Sequence, residues 1–201
     1  MAGNGVTRRT RLSGAERRMQ IIEAAGELIS FSGYWAVSLN DIGVRCGVTN
    51  AAVLHHFGSK EKLLMAVLAH RDEVDRIALA TGLGVERADL YAVLPTIDLS
   101  MICAAMVRRN AQQPEIVRLY TLLSAESLDP HHPAHEYYQK REATAISTFA
   151  SAKAPGGNSP ELARLVLAAM DGVQLRWLRN LDSIDLVADW ELASRRILSG
   201  S

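Results

Sequence analysis

The sequence predicts an all-α fold: a three-helix helix-turn-helix unit at the N-terminus and a larger helical body behind it. Composition is the first reason. Ala, Leu, Val and Ile dominate the apolar residues, which are 48% of the 201, while aromatic residues are only 5%. That balance suits helices packed on helices. Punctuation is the second. Ser13, Ser38, Thr49, Ser59 and Ser159 each stand directly before an apolar pattern of helical period. The third is that no stretch alternates as a strand does.

Residues 1–12 read as a flexible basic arm. Arg8, Arg9, Arg11, Arg17 and Arg18 fall before residue 19 and are opposed there only by Glu16, although the whole chain has zero net charge. Such a run also serves simply as a solubilising tail. Ser13 and Glu16 then form a capping box. Ile21, Ile22, Ala25, Leu28 and Ile29 follow at helical spacing, and Gly33 is the expected stop. A short second helix runs from Ser38 to Gly47 and a third from Thr49 to about His56. A fourth opens at Ser59, carries Leu63, Leu64, Val67 and Leu68, and should reach about Ala80. Gly82 and Gly84 obscure residues 82–94. Pro95 suits the first turn of a helix to about Asn110, and Pro114 opens another. Asp129 to Pro133 reads as a loop, followed by a helix to about Lys153. Residues 154–158 form a linker. The last two helices begin at Ser159-Pro160-Glu161 and at about Ile184, the latter ending near Leu198.

The segment from Leu39 to His56 has what a helix-turn-helix requires: two short helices crossing through a tight turn. Gly47 permits positive φ there, and Gly43 is small where the second helix must approach. Ile42, Val48 and Val53 can lock the pair onto the first helix. The third helix then presents Thr49, Asn50, Ala51, Ala52, His55 and His56, short or polar side chains that suit a major groove. An ordinary helical hairpin in which Gly47 is only a cap fits the same spacing. His56 is equally suited to the core beside Phe57, which leaves His55 the better candidate for DNA.

Gly33-Tyr34, Ser38, Asp41-Ile42, the run Gly47-Val48-Thr49-Asn50-Ala51-Ala52-Val53-Leu54-His55-His56-Phe57 and Ser59-Lys60-Glu61-Lys62-Leu63-Leu64 resemble the N-terminal domain of the tetracycline-repressor (TetR) family. The match spans residues of about 15–65. Asn110 through Pro114, Leu119 through Glu126, Asp129-Pro130, His132-Pro133, Asp171-Gly172, Gln174 and Trp177-Leu178 are similar to a common subgroup of such regulators. The resemblance implies a helix-turn-helix DNA-binding domain at 13–58 and a helical ligand-binding and dimerisation domain at 59–201. It implies a homodimer on a palindromic double-stranded operator, released by a small-molecule effector. By position, Ser38 and Lys60 are expected at phosphates and Thr49 and Asn50 on the recognition helix. Arg45, Ala51 and His55 complete the expected DNA surface. The assignments of Ser38, Thr49, Asn50 and Lys60 also fit the preference of helix N-termini and lysines for phosphate. Leu54 departs from the family pattern, where a tyrosine is usual, and cannot donate a hydrogen bond.

In the body, Met101, Met106, Tyr120, Leu123, Tyr137, Gln174 and Trp177 are candidates to line an effector cavity, although core packing is the better reading of each taken singly. Leu165, Val166, Met170, Val173, Ile184 and Val187 are candidates for the dimer interface. His131, His132, His135 and Glu136 could be read as a metal cluster, but Pro133 interrupts them; no metal or cofactor is expected. Glu126 and Asp129 lack a neighbouring nucleophile, so no enzyme is expected. Cys46 and Cys103 lie far apart, no apolar run reaches membrane-spanning length, and the arginine-bearing first residues, without an apolar run, are not expected to act as a secretory signal. These features point to a cytoplasmic protein without a membrane partner. A regulator switched by a protein partner rather than a ligand, and a small helical enzyme, are the rival readings.

Overall fold

The computed structural model describes residues 12–154, 157 and 159–198. Arg8, Arg9, Arg11 and most of the expected linker therefore lie outside the described residues. In chain order the helices are α1 (Gly14–Ala36), α2 (Leu39–Cys46), α3 (Asn50–Phe57), α4 (Lys60–Leu83), α5 (Leu90–Val93), α6 (Leu99–Asn110), α7 (Pro114–Glu126), α8 (His135–Ser151), α9 (Pro160–Leu178) and α10 (Leu186–Leu198). No strand occurs among the described residues, only an isolated bridge between Asp98 and Lys153.

Caps decide where these helices start. The side chains of Ser13, Ser38, Thr49, Ser59 and Ser159 each accept a backbone N–H from the first turn of the helix that follows. Ser13 and Ser38 complete reciprocal boxes with Glu16 and Asp41. Removing such a cap costs about 1 kcal/mol, so the five are strong local instructions.

Three boundaries differ from the sequence expectation. Gly33 does take a positive φ of 78°, but the chain resumes a helical turn to Ala36 beyond this kink. α4 outlasts Ala80 and stops at Gly84, whose left-handed backbone returns its N–H to Ala80 and Thr81. Pro95 begins no long helix. It sits in a 3-10 turn, Leu94–Thr96, after which Ile97 is extended. The reason is a tie to the end of α8: Lys153 N donates to Ile97 O at 3.0 Å and Leu99 N to Lys153 O at 2.7 Å.

Two hydrophobic clusters fill the molecule. One joins Ile21, Ile29, Ile42, Val53 and Phe57 of α1–α3 with Leu63, Leu64 and Leu68 of α4, and also with Leu119 and Leu123 of α7. The other gathers α6, α9 and α10 around Ile102, Val107, Val166, Trp177 and Trp190. The core of the first three helices therefore runs on across residue 58 into the body.

Candidate nucleic-acid interface

The turn between α2 and α3 is built on two glycines. Gly47 is left-handed at φ 67° and ψ 36°, and its N–H reaches the carbonyls of Gly43 and Val44. Val48 N donates to Gly43 O at 2.9 Å. A Cβ on Gly43 would lie 2.8 Å from Val48 O, so only glycine permits this approach. Ile42, Cys46, Val53 and Phe57 are buried against α1 and α4. Arg17 closes the end of α2, donating to Cys46 O at 3.1 Å, and the Arg18 guanidinium lies 4.6 Å from the centre of the Phe57 ring.

Burial of that inner face leaves an outer one. Thr49, Asn50, Ala51, Leu54 and His55 are exposed along α3, with Ser38 exposed at the N-terminus of α2. His56 is half-buried, its ring 6.3 Å from Phe57. Thr49, Asn50, Ala51 and His55 thus share one exposed side of α3, and Ser38 is separately exposed at the start of α2. Their length and polarity fit the edges of base pairs.

The two expected cations have partners within the protein. Arg45 forms a two-pronged ion pair with Glu27, at 2.7 and 2.8 Å, in which both side chains are about half exposed. An exposed pair contributes about 0–1 kcal/mol, so exchange of Glu27 for a phosphate costs little. Lys60 Nζ donates to Tyr34 O at 2.7 Å and stands 4.1 Å from the centre of the Tyr34 ring. Burial lowers the Lys60 pKa, and Glu61, Glu126 and Asp41 oppose that shift.

The expected effector residues divide into separate places. Tyr120 and Tyr137 meet at Asp72 of α4: Tyr137 Oη lies 2.8 Å from both carboxylate oxygens and Tyr120 Oη 3.2 Å from one. Arg141 joins them, 2.5 Å from Asp72 and 4.2 Å from the centre of the Tyr120 ring. Burial raises the pKa of both tyrosines, keeping them neutral donors. Leu123 is instead fully buried in the core shared with α1, and Met101 is exposed on α6. Met106 and Trp177 pack in the other cluster, and Gln174 accepts from Asn110 Nδ2 at 2.6 Å. Two surface clefts, of about 430 and 370 Å³, have none of these seven residues in their walls.

The expected dimer surface needs a similar correction. Val166 and Met170 point into their own protomer's core at 0% and 2% exposure. A residue already buried in one chain cannot lose water to another. Val173, Ile184 and Val187 are partly buried against the same cluster. Leu165 is exposed as expected, and Ala168, Leu175 and Leu192 share that exposure on α9 and α10.

Glu126 and His132 stand out in the sequence as motif residues, as a candidate catalytic carboxylate and as a candidate metal ligand, but not as partners of Tyr34. Tyr34 N donates to Glu126 Oε2 at 2.8 Å across the boundary between the first helices and the body. His132 is buried, its ring 5.1 Å from that of Tyr34 and its Nε2 3.7 Å from Glu126 Oε2. Burial lowers the His132 pKa, opposed by Glu126 and Asp129. His131 and His135 turn elsewhere, to Asp129 and to Ser127 O.

Comparison with known proteins agrees with this geometry. Residues 21–67 match the family model described as bacterial regulatory proteins, tetR family. The chain is 30% identical over 205 residues to the protein described as "Probable HTH-type transcriptional regulator ArpR" of Pseudomonas putida, covering 92% of this chain and 91% of that one. It is 34% identical over 93 residues to the HTH-type transcriptional regulator SrpR, also of Pseudomonas putida, a match spanning 46% of this chain and 44% of that protein. Among solved structures it resembles SmeT, the repressor of the Stenotrophomonas maltophilia multidrug efflux pump SmeDEF. The TM-score there is 0.65 and the identity 22%, over 90% of this chain and 88% of SmeT.

Proposed function

Since the chain belongs to the TetR family of bacterial transcriptional regulators, we propose that it is a cytoplasmic repressor whose homodimer grips a palindromic operator and releases it to a small-molecule effector. The observation that carries the reading is the outer face of α3. Asn50, Ala51 and His55 stand exposed on a helix locked to α1 and α4 by its buried side, which is how a recognition helix enters a major groove. Ser38 at a helix N-terminus and Lys60 flank it for phosphate. A repressor role is stated of SmeT, and the shared architecture supports it here.

The second copy would cover Leu165, Ala168, Leu175 and Leu192, an apolar face that a lone protomer leaves in water. The effector would act on α4. Asp72 ties that helix to α7 and α8, and Asp75 ties it to α6 through Arg109 at 2.9 Å. A ligand that competes with Tyr120 and Tyr137 for Asp72 would favour a different seat for α4, and α4 begins at the DNA-binding end with Lys60. Only such differential affinity for two arrangements can change operator binding.

A gel-shift with duplex DNA from upstream of the protein's own coding sequence tests this, run with and without the small-molecule fraction of a cell extract. A sequence-dependent complex that the extract dissolves is expected. Absence of any sequence-dependent complex would contradict it.

A further inference from the structure

Tyr34 is held from two sides at once. Its N–H donates to Glu126 Oε2 at 2.8 Å, while its carbonyl accepts from Lys60 Nζ at 2.7 Å. Its ring lies between that ammonium, 4.1 Å away, and the buried His132 ring at 5.1 Å. Glu126 and His132 belong to the body, whereas Lys60 opens the helix that leaves the DNA-binding end.

The carboxylate reaches Tyr34 only because residue 33 is glycine. A Cβ there would stand 2.3 Å from Glu126 Oε1, and the backbone is at φ +78°. Gly33 is therefore more than a helix stop: its missing side chain is the space the carboxylate occupies. On the other flank His132 Nδ1 accepts the Ala134 N–H at 3.1 Å, which leaves the proton on Nε2, facing Glu126. At 3.7 Å His132 Nε2 makes no hydrogen bond to the carboxylate, so the directed link is the bond from Tyr34 N, strengthened by the charge on Glu126.

We infer that Glu126, inserted beneath Gly33, is the positioning residue that sets the angle of the reading head on the body, and with it the separation of the two recognition helices. The inference rests on the dimeric DNA-binding reading above. It places control of head position at the junction of α1 with α7, in addition to α4. One inserted base pair moves the second half-site by about 3.4 Å along the duplex. A head held at a fixed angle rejects such a change, and a loosened head follows it.

The test uses a duplex enriched by the full-length wild-type protein from a random-sequence pool, together with the same duplex carrying one base pair added or removed between half-sites. Affinity for each is measured for wild type, Glu126→Ala, Gly33→Ala and Glu126→Gln. In Glu126→Ala and Gly33→Ala the preference for native spacing is expected to fall by at least about fivefold, the lower end of ordinary coupling. Glu126→Gln, which keeps an acceptor for the Tyr34 N–H, is expected to retain it. Should Glu126→Ala fail to fold, Gly33→Ala decides, since it evicts the same carboxylate. Parallel weakening on all spacings, or an unchanged preference, overturns the inference. A wild type that enriches no two-fold sequence overturns the functional reading beneath it as well.

Discussion

Asn50 and Lys60 lie on successive helices, and the proposed function assigns them different tasks. Asn50 is exposed at the start of α3, where its amide can meet a base. Lys60 is a cation already engaged by Tyr34 O. Asn50→Ala should cost about 1–3 kcal/mol at particular base pairs and relax preference there, if the amide pairs bidentately with a base. Lys60→Ala should weaken all sequences about equally and lower the salt slope by about 1. Binding titrations over operator variants at several salt concentrations distinguish the two, and exchanged phenotypes would refute the assignment. The surface positions Thr49, Asn50 and His55 were legible in the sequence because cap and period fix which side of a short helix faces out. The partners of Lys60, Tyr34 and Glu126 were not, because local pattern carries no information about contacts 26 and 92 residues apart.

Among the elements, the α2–α3 turn is the least forgiving. Gly43 faces the Val48 carbonyl at a distance that a Cβ would reduce to 2.8 Å, and backbone cannot turn aside as a flexible side chain can. Gly43→Ala should destabilise the protein by about 1–3 kcal/mol, the usual cost of overpacking. At about 2–4 °C per kcal/mol for a chain of this size, thermal unfolding would register it. Operator affinity should fall more than stability does, because the crossing of α2 and α3 itself is forced open. An unchanged melting midpoint would contradict that packing. Starts of elements were legible wherever a serine or threonine capped them. The extended stretch at Ile97 was not, because it is set by a backbone tie to Lys153, far along the chain.

In the molecule as a whole, the reading end and the body share a core, with Leu119 and Leu123 of α7 packed among the residues of α1 and α4. Helical period shows that a face is apolar but not what covers it, so the sequence left this continuity and the inward direction of Val166 and Met170 undetermined. The shared core offers a route from the body to the DNA-binding end: α1 cannot shift without repacking against α7, nor α4 without repacking against α1 and α6. Leu165, Leu175 and Leu192 are exposed on α9 and α10, and the proposed homodimer would place its two-fold contact there. Two-fold symmetry in the protein demands two-fold symmetry in its site, with half-site centres separated by about 34–36 Å or a multiple of that. The most direct measurement is selection of duplex DNA from a random pool by the full-length wild-type protein, followed by sequencing. The account predicts an enriched inverted repeat at that spacing; enrichment of an asymmetric sequence, or of none, would contradict it.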